Sequence, residues 1–186
     1  MFIQTEPTPN PATLKFLPGR AVLASGTLDM RDKEAAAQSP LAERLFQIPG
    51  VSGVFYGSDF IAVTKAVGEW QQLKPAILGA IMEHVVSGAP LVGSADAAPA
   101  AEREEFFEAK DAETVSTIKE LIETRVRPAV ANDGGDITFR GFKDGVVYLD
   151  MKGACSGCPS STATLRHGIQ NLLRHYLPDV VEVRPM

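Results

Sequence analysis

One stretch of sequence decides how this chain can fold: Ala95-Asp96-Ala97-Ala98-Pro99-Ala100-Ala101, followed at once by Glu102-Arg103-Glu104-Glu105. Small residues and a charge run offer no apolar periodicity, so neither half can bury enough surface to order itself. The 186 residues are thereby split into two pieces, each the size of a small domain. We place a first domain at 1–88, a flexible linker at 89–111 and a second domain at 112–186. A linker of that length, behaving as a coil, spans about 25 to 30 Å. Phe106 and Phe107 are the exception within it, adjacent aromatics with apolar surface to dock on a domain.

The pieces read as α+β. In the first, Phe2–Thr5 and Thr13–Phe16 are expected strands around the proline-rich turn Pro7-Thr8-Pro9-Asn10-Pro11. Ser39-Pro40 starts a helix, a cap followed by proline at the first helical position, and Pro49-Gly50 stops it. Val51–Tyr56 and Phe60–Lys65 form a hairpin across Gly57-Ser58-Asp59. Trp70–Leu73 is read as a short turn, and Pro75 as the opening of a helix with Leu78, Ile81, Met82 and Val85 on one face. In the second piece the expected order is α-β-β-α-β. Val115, Ile118, Leu121 and Ile122 mark a helix whose last section Pro128 starts or kinks. Asp136–Phe142 and Val146–Met151 flank the Asp144-Gly145 turn signal. A helix with Leu165, Ile169, Leu172, Leu173 and Tyr176 inward and a strand at Val180–Val183 close the chain.

A net charge of -5 with dispersed Lys and Arg excludes a phosphate-backbone partner, so no nucleic acid is expected. No apolar run reaches the roughly 18 residues that span a bilayer, so no membrane partner is expected either. The first residues, Met1-Phe2-Ile3-Gln4-Thr5, lack a basic and apolar leader pattern. A cytoplasmic location is expected, and a mature mitochondrial matrix form would read the same.

Chemistry concentrates in Gly153-Ala154-Cys155-Ser156-Gly157-Cys158-Pro159-Ser160, between a strand and a helix. These are the chain's two cysteines, three positions apart, a pattern of metal or redox chemistry and not of a disulfide scaffold. Ser160 is the expected cap of the following helix, whose N-terminal partial charge would favour thiolate. A thiolate metal site takes four ligands. His84, His167 and His175 do not fit zinc spacing and are read as solvated or hydrogen-bonded surface residues. Two chains are therefore needed to complete a four-cysteine site. Spacing alone leaves a redox dithiol open beside metal; Pro159 after the second cysteine favours metal, since proline follows a cluster cysteine in bacterial ferredoxins. A dithiol–disulfide oxidoreductase and a zinc-bridged dimer are the competing readings. Asp133 and Asp136, flanking Gly134-Gly135, are taken as turn and capping residues. No paired-carboxylate or Ser/His/Asp arrangement stands out, so no enzyme is expected and no catalytic residue is assigned.

The run Gly153 to Ser161, with Thr164-Leu165, Gly168-Ile169 and Leu177-Pro178, resembles the C-terminal domain of NifU-like proteins. Arg127-Pro128 and Asp133-Gly134-Gly135-Asp136 look like the same domain's first helix and turn. Met1 to Thr5, Thr8-Pro9-Asn10-Pro11, Leu14-Lys15-Phe16 and Pro18-Gly19 resemble the N-terminal domain of the Nfu family. Together the resemblances cover nearly everything but the linker. They imply a scaffold or carrier whose Cys155 and Cys158 ligate a 4Fe–4S cluster shared between two chains. They imply, too, a homodimer when loaded, with upstream cluster donors and apo iron–sulfur client proteins as partners.

Overall fold

In a computed structural model of the chain, residues 2–93, 104–156 and 159–186 are described. The chain divides into two units, Met1–Ala100 and Ala101–Met186, each with its own core.

The first unit is built on an antiparallel sheet of order β1-β2-β5-β4-β3, formed by Gln4–Pro7, Thr13–Leu17, Leu28–Met30, Val51–Tyr56 and Ile61–Lys65 in chain order. Val54, Tyr56, Ile61 and Val63 alternate toward the core, as the two-residue period of a strand requires. Helix α1 is a single turn, Lys33–Ala36. Helix α2, Pro40–Phe46, starts where the sequence places it: the Ser39 hydroxyl accepts the Ala42 N–H at 3.2 Å and Pro40 takes the first helical position. Helix α3 differs from expectation, running unbroken from Trp70 to Ser87 with Pro75 inside it. Pro75 and Gln71 both lie on the exposed side, where water can take the carbonyl that a proline leaves without a donor. Its buried stripe is Leu73, Ile77, Ile81, His84 and Val85, while Met82 faces outward. The helix carries two apolar stripes, and the one read from sequence is only partly the buried one. His84 also departs from its surface reading. It is 4% exposed, and its Nε2 has no partner among the described residues. Burial, then the Arg44 cation, lowers its pKa.

The second unit holds a sheet of order β6-β7-β8-β9: Phe106–Phe107, Gly135–Lys143, Val146–Gly153 and Glu182–Pro185. β7 and β8 are antiparallel, while β6 and β9 run parallel to their neighbours. Asp144 and Gly145 both take positive φ, 50° and 77°, the mirror-image turn that matches strand twist. Helices α4 (Ala112–Leu121), α5 (Arg127–Asn132) and α6 (Pro159–Tyr176) contribute Val115, Ile118, Val130, Ile169 and Leu173 to a core with Ile137, Leu149 and Val183. The expected α-β-β-α-β order is present, preceded by the two-residue β6. Tyr176, expected inward, is 48% exposed. Ser160, expected as a cap, sits one residue inside α6, and Pro159 opens the helix.

Within the stretch read as linker, 94–103 lies outside the described residues. On its first-unit side, the Leu91 carbonyl accepts the buried Ser39 hydroxyl and the Gly93 N–H donates to the Gln38 carbonyl. On the other, Phe106 pairs alongside Gly141 and packs on Tyr148 with ring centres 5.1 Å apart. No helix among the described residues is long and apolar enough to cross a membrane.

Candidate metal centre

The site begins where β8 ends. Gly153 takes φ 68°, a conformation open to glycine, and the Ser156 N–H and hydroxyl both donate to its carbonyl, at 3.1 and 2.9 Å. That closes a tight turn with Cys155 inside it. The Ala154 N–H donates to the Gly134 carbonyl at 3.1 Å, and the Thr162 hydroxyl of α6 donates to the Cys155 carbonyl at 3.0 Å. The turn is thus fastened both to the start of β7 and to the first turns of α6. Cys155 is 6% exposed and packs into the core of the second unit. Cys158, the second residue expected to ligate, lies outside the described residues.

Gly135 is the residue that makes room. It pairs with Gly153 across the hairpin, and a Cβ on it would stand 2.6 Å from the Lys152 carbonyl oxygen and 2.9 Å from the Cys155 sulfur. Glycine is required there by space. The sequence shows the glycine pair but not that a thiol fills the gap beside the second one.

Asp136 is no turn residue. It is a buried member of β7, and Arg127 grips its carboxylate with two bonds, Nε to Oδ1 at 2.9 Å and Nη2 to Oδ2 at 3.0 Å. The Ile137 N–H also donates to Oδ1, at 2.8 Å. Asp133 does close α5 as its C-terminal cap. Arg127 reaches Asp136 through an irregularity: residues Ile122–Val126 form a π turn between α4 and α5. Pro128 has no N–H for the carbonyl of Thr124 and crowds it, and the wide turn lies immediately before. One extra residue in the turn rotates the next helix by about 100°.

The expected ease of ionising the thiol is corrected by this geometry. Burial, followed by the negative charges of Asp133 and Asp136, pushes the Cys155 thiol up to about 12. Sequence reveals the nearby helix N-terminus but not the core in which the sulfur sits. A thiol so placed is a poor nucleophile at neutral pH, unlike the depressed thiol of a dithiol oxidoreductase. In apo-protein carrying Cys158→Ser, Cys155 should therefore alkylate at pH 8 about a thousandfold more slowly than a free cysteine, with the rate rising about tenfold per pH unit. The unfolded thiol ionises near pH 8.5 while the folded one keeps its proton, so stability should also fall on going alkaline. Alkylation at the free-cysteine rate would show an open turn.

His167 and His175 lie on the exposed side of α6, and His84 belongs to the first unit. Among the described residues no three His, Cys, Asp or Glu side chains gather as a metal-binding set.

Comparison with known proteins respects the same division. The family model described as "Scaffold protein Nfu/NifU N terminal" matches residues 3–88, and that described as "NifU-like domain" matches 118–184. The human protein "NFU1 iron-sulfur cluster scaffold homolog, mitochondrial" is 50% identical over 182 residues, 97% of this chain and 70% of that one. The chain belongs to the Nfu family. Another Nfu member, from Arabidopsis thaliana and named "NifU-like protein 4, mitochondrial", is 50% identical over 183 residues, 97% of this chain and 64% of that one. The solution structure of a NifU-like protein from Saccharomyces cerevisiae aligns at a TM-score of 0.46 and 26% identity, over 50% of this chain and 86% of that one. The cytoplasmic location expected from sequence is overturned by these Nfu relatives, which are mitochondrial by name. Composition could not make the distinction, because a mature matrix protein and a cytosolic one are built for the same kind of solvent.

Proposed function

We propose that the chain is an iron–sulfur cluster scaffold and carrier, holding a 4Fe–4S cluster between two copies through Cys155 and Cys158 of each. The observation that carries this reading is the donor set: one thiol braced in a tight turn and, in the sequence, a second three residues on, the only two cysteines of the chain. Thiolates are the donors that iron–sulfur clusters take, usually four of them. Two per chain leave the cluster half ligated, so a second copy supplies the rest. The scaffold role is the one stated in the name of the human relative.

The cluster is cargo. Each thiol gives up its proton as it binds, and the cluster offsets that cost by its own positive iron centres. Delivery proceeds by ligand exchange: a client thiolate displaces one cysteine at a time at a seam between two copies, with no general base required. Upstream donors load the site and apo iron–sulfur proteins receive from it.

Anaerobic reconstitution with iron and sulfide should give about one four-iron cluster per dimer, read by metal and sulfide analysis beside size-exclusion mass. Cys155→Ser or Cys158→Ser should abolish it. A loaded monomer, or loading that survives both replacements, would sink the reading.

A further inference from the structure

We propose that Arg127 is a positioning residue for the cluster site, cancelling the charge of Asp136 so that an anionic cluster can sit on the cysteine turn beside it. The proposal rests on the scaffold reading above and adds a residue to it.

Asp136 is 4% exposed and stands on β7 directly after Gly135, the residue against which the Cys155 sulfur packs. A carboxylate buried there is unusual company for a thiolate-held cluster, which itself carries net negative charge. Why, then, is an acid present? Its Oδ1 accepts the Ile137 N–H, and both of its oxygens hold Arg127. The pair therefore fixes the first residues of β7, to which Gly134 and Ala154 tie the cysteine turn.

Arg127 answers the charge. Its fork is two-pronged on Asp136, while its third contact, Nη1 to Glu123 Oε1 at 2.7 Å, goes to an exposed partner worth little by comparison. The π turn before it buries Ile122 and Val126 in the core and also sets the direction of the next helix. Its effect is to swing Arg127 toward β7. Removing the guanidinium takes the two-pronged cation away from a buried carboxylate, and breaking a buried pair from one side is costly. Removing both charges leaves neither repulsion nor an unpaired ion, and an Asn at 136 can still accept the Ile137 N–H.

The full chain, reconstituted anaerobically, tests this with Arg127→Gln and with the double variant Arg127→Gln/Asp136→Asn. Cluster lifetime is followed as visible absorbance lost to an iron chelator, together with the cluster's reduction potential and the thermal midpoint of each apo-protein. Arg127→Gln should shorten the lifetime roughly 10–100-fold, the scale for partners of metal ligands, and shift the potential negative. The double variant should return both to near wild type. A double variant as poor as the single would show a purely structural brace and overturn the proposal. If the single variant does not fold, the double decides alone: a lifetime near wild type supports the proposal and a loss beyond tenfold ends it. Wild-type protein that loads while Arg127→Gln loads equally well removes this proposal and leaves the scaffold reading standing. Wild-type protein that never loads removes both.

Discussion

Replacing Gly135 with alanine is expected to leave the chain unable to hold a cluster and to lower the stability of its second unit. The added methyl would meet the Lys152 carbonyl oxygen at 2.6 Å, the Cys155 sulfur at 2.9 Å and the Cys155 nitrogen at 3.2 Å. A side chain could swing aside, but two of these atoms are backbone. Lys152 is also the ladder partner of Asp136, so its carbonyl cannot retreat without opening β7 from β8. Overpacking of this kind costs about 1–3 kcal/mol and displaces whatever yields first. Here that is the cysteine turn. Anaerobic loading should fall to background in Gly135→Ala, with a lower apo melting midpoint than wild type. Gly168→Ala is the control, since a methyl there meets nothing within 4 Å. Full loading of Gly135→Ala would mean that the turn has slack the packing does not show.

The second large effect concerns the division of the chain. Leu149 is fully buried in the second core and Leu45 in the first, and the two clusters share no residue. Truncating either to alanine removes buried methyl groups and leaves a cavity, a loss of about 2–5 kcal/mol. For units of this size that is a fall of more than about 10 °C in the melting midpoint. Leu149→Ala should move one calorimetric transition and Leu45→Ala the other. The proposed boundary between domains depends on that separation. Should either substitution move both transitions together, the two cores are one cooperative unit.

How far the sequence could be read depended on whether the signal was local. Ser39-Pro40 and Asp144-Gly145 carry their geometry in their own chemistry, a cap with a pre-set φ and a pair that tolerates positive φ, so both sites were legible. Strand β3 was not: Leu28-Asp29-Met30 is three residues long and exists because Val54, Phe55 and Tyr56 present a free edge. The unbroken α3 was missed because proline's cost depends on which side of the helix it faces. At the candidate site, the proposed ligands Cys155 and Cys158 stand out in the sequence by type and spacing. The surroundings of Cys155 do not. Arg127 and Asp136 are nine residues apart, brought together by a π turn that no periodicity foretells, and the state of the Cys155 thiol is set by burial that only the fold creates.

Strand β6 carries a practical lesson about where this molecule can be cut. Phe106 lies so close over Gly141 that a methyl there would strike its ring, and Lys119 on α4 meets Glu105 just upstream. A fragment begun at residue 112 would strip this cover and bare the Gly141–Phe142 edge of β7, an invitation to stick to any other unpaired strand. Fragments meant to isolate the cysteine-bearing half should start ahead of Glu105, keeping the tether's last residues as part of the fold they guard.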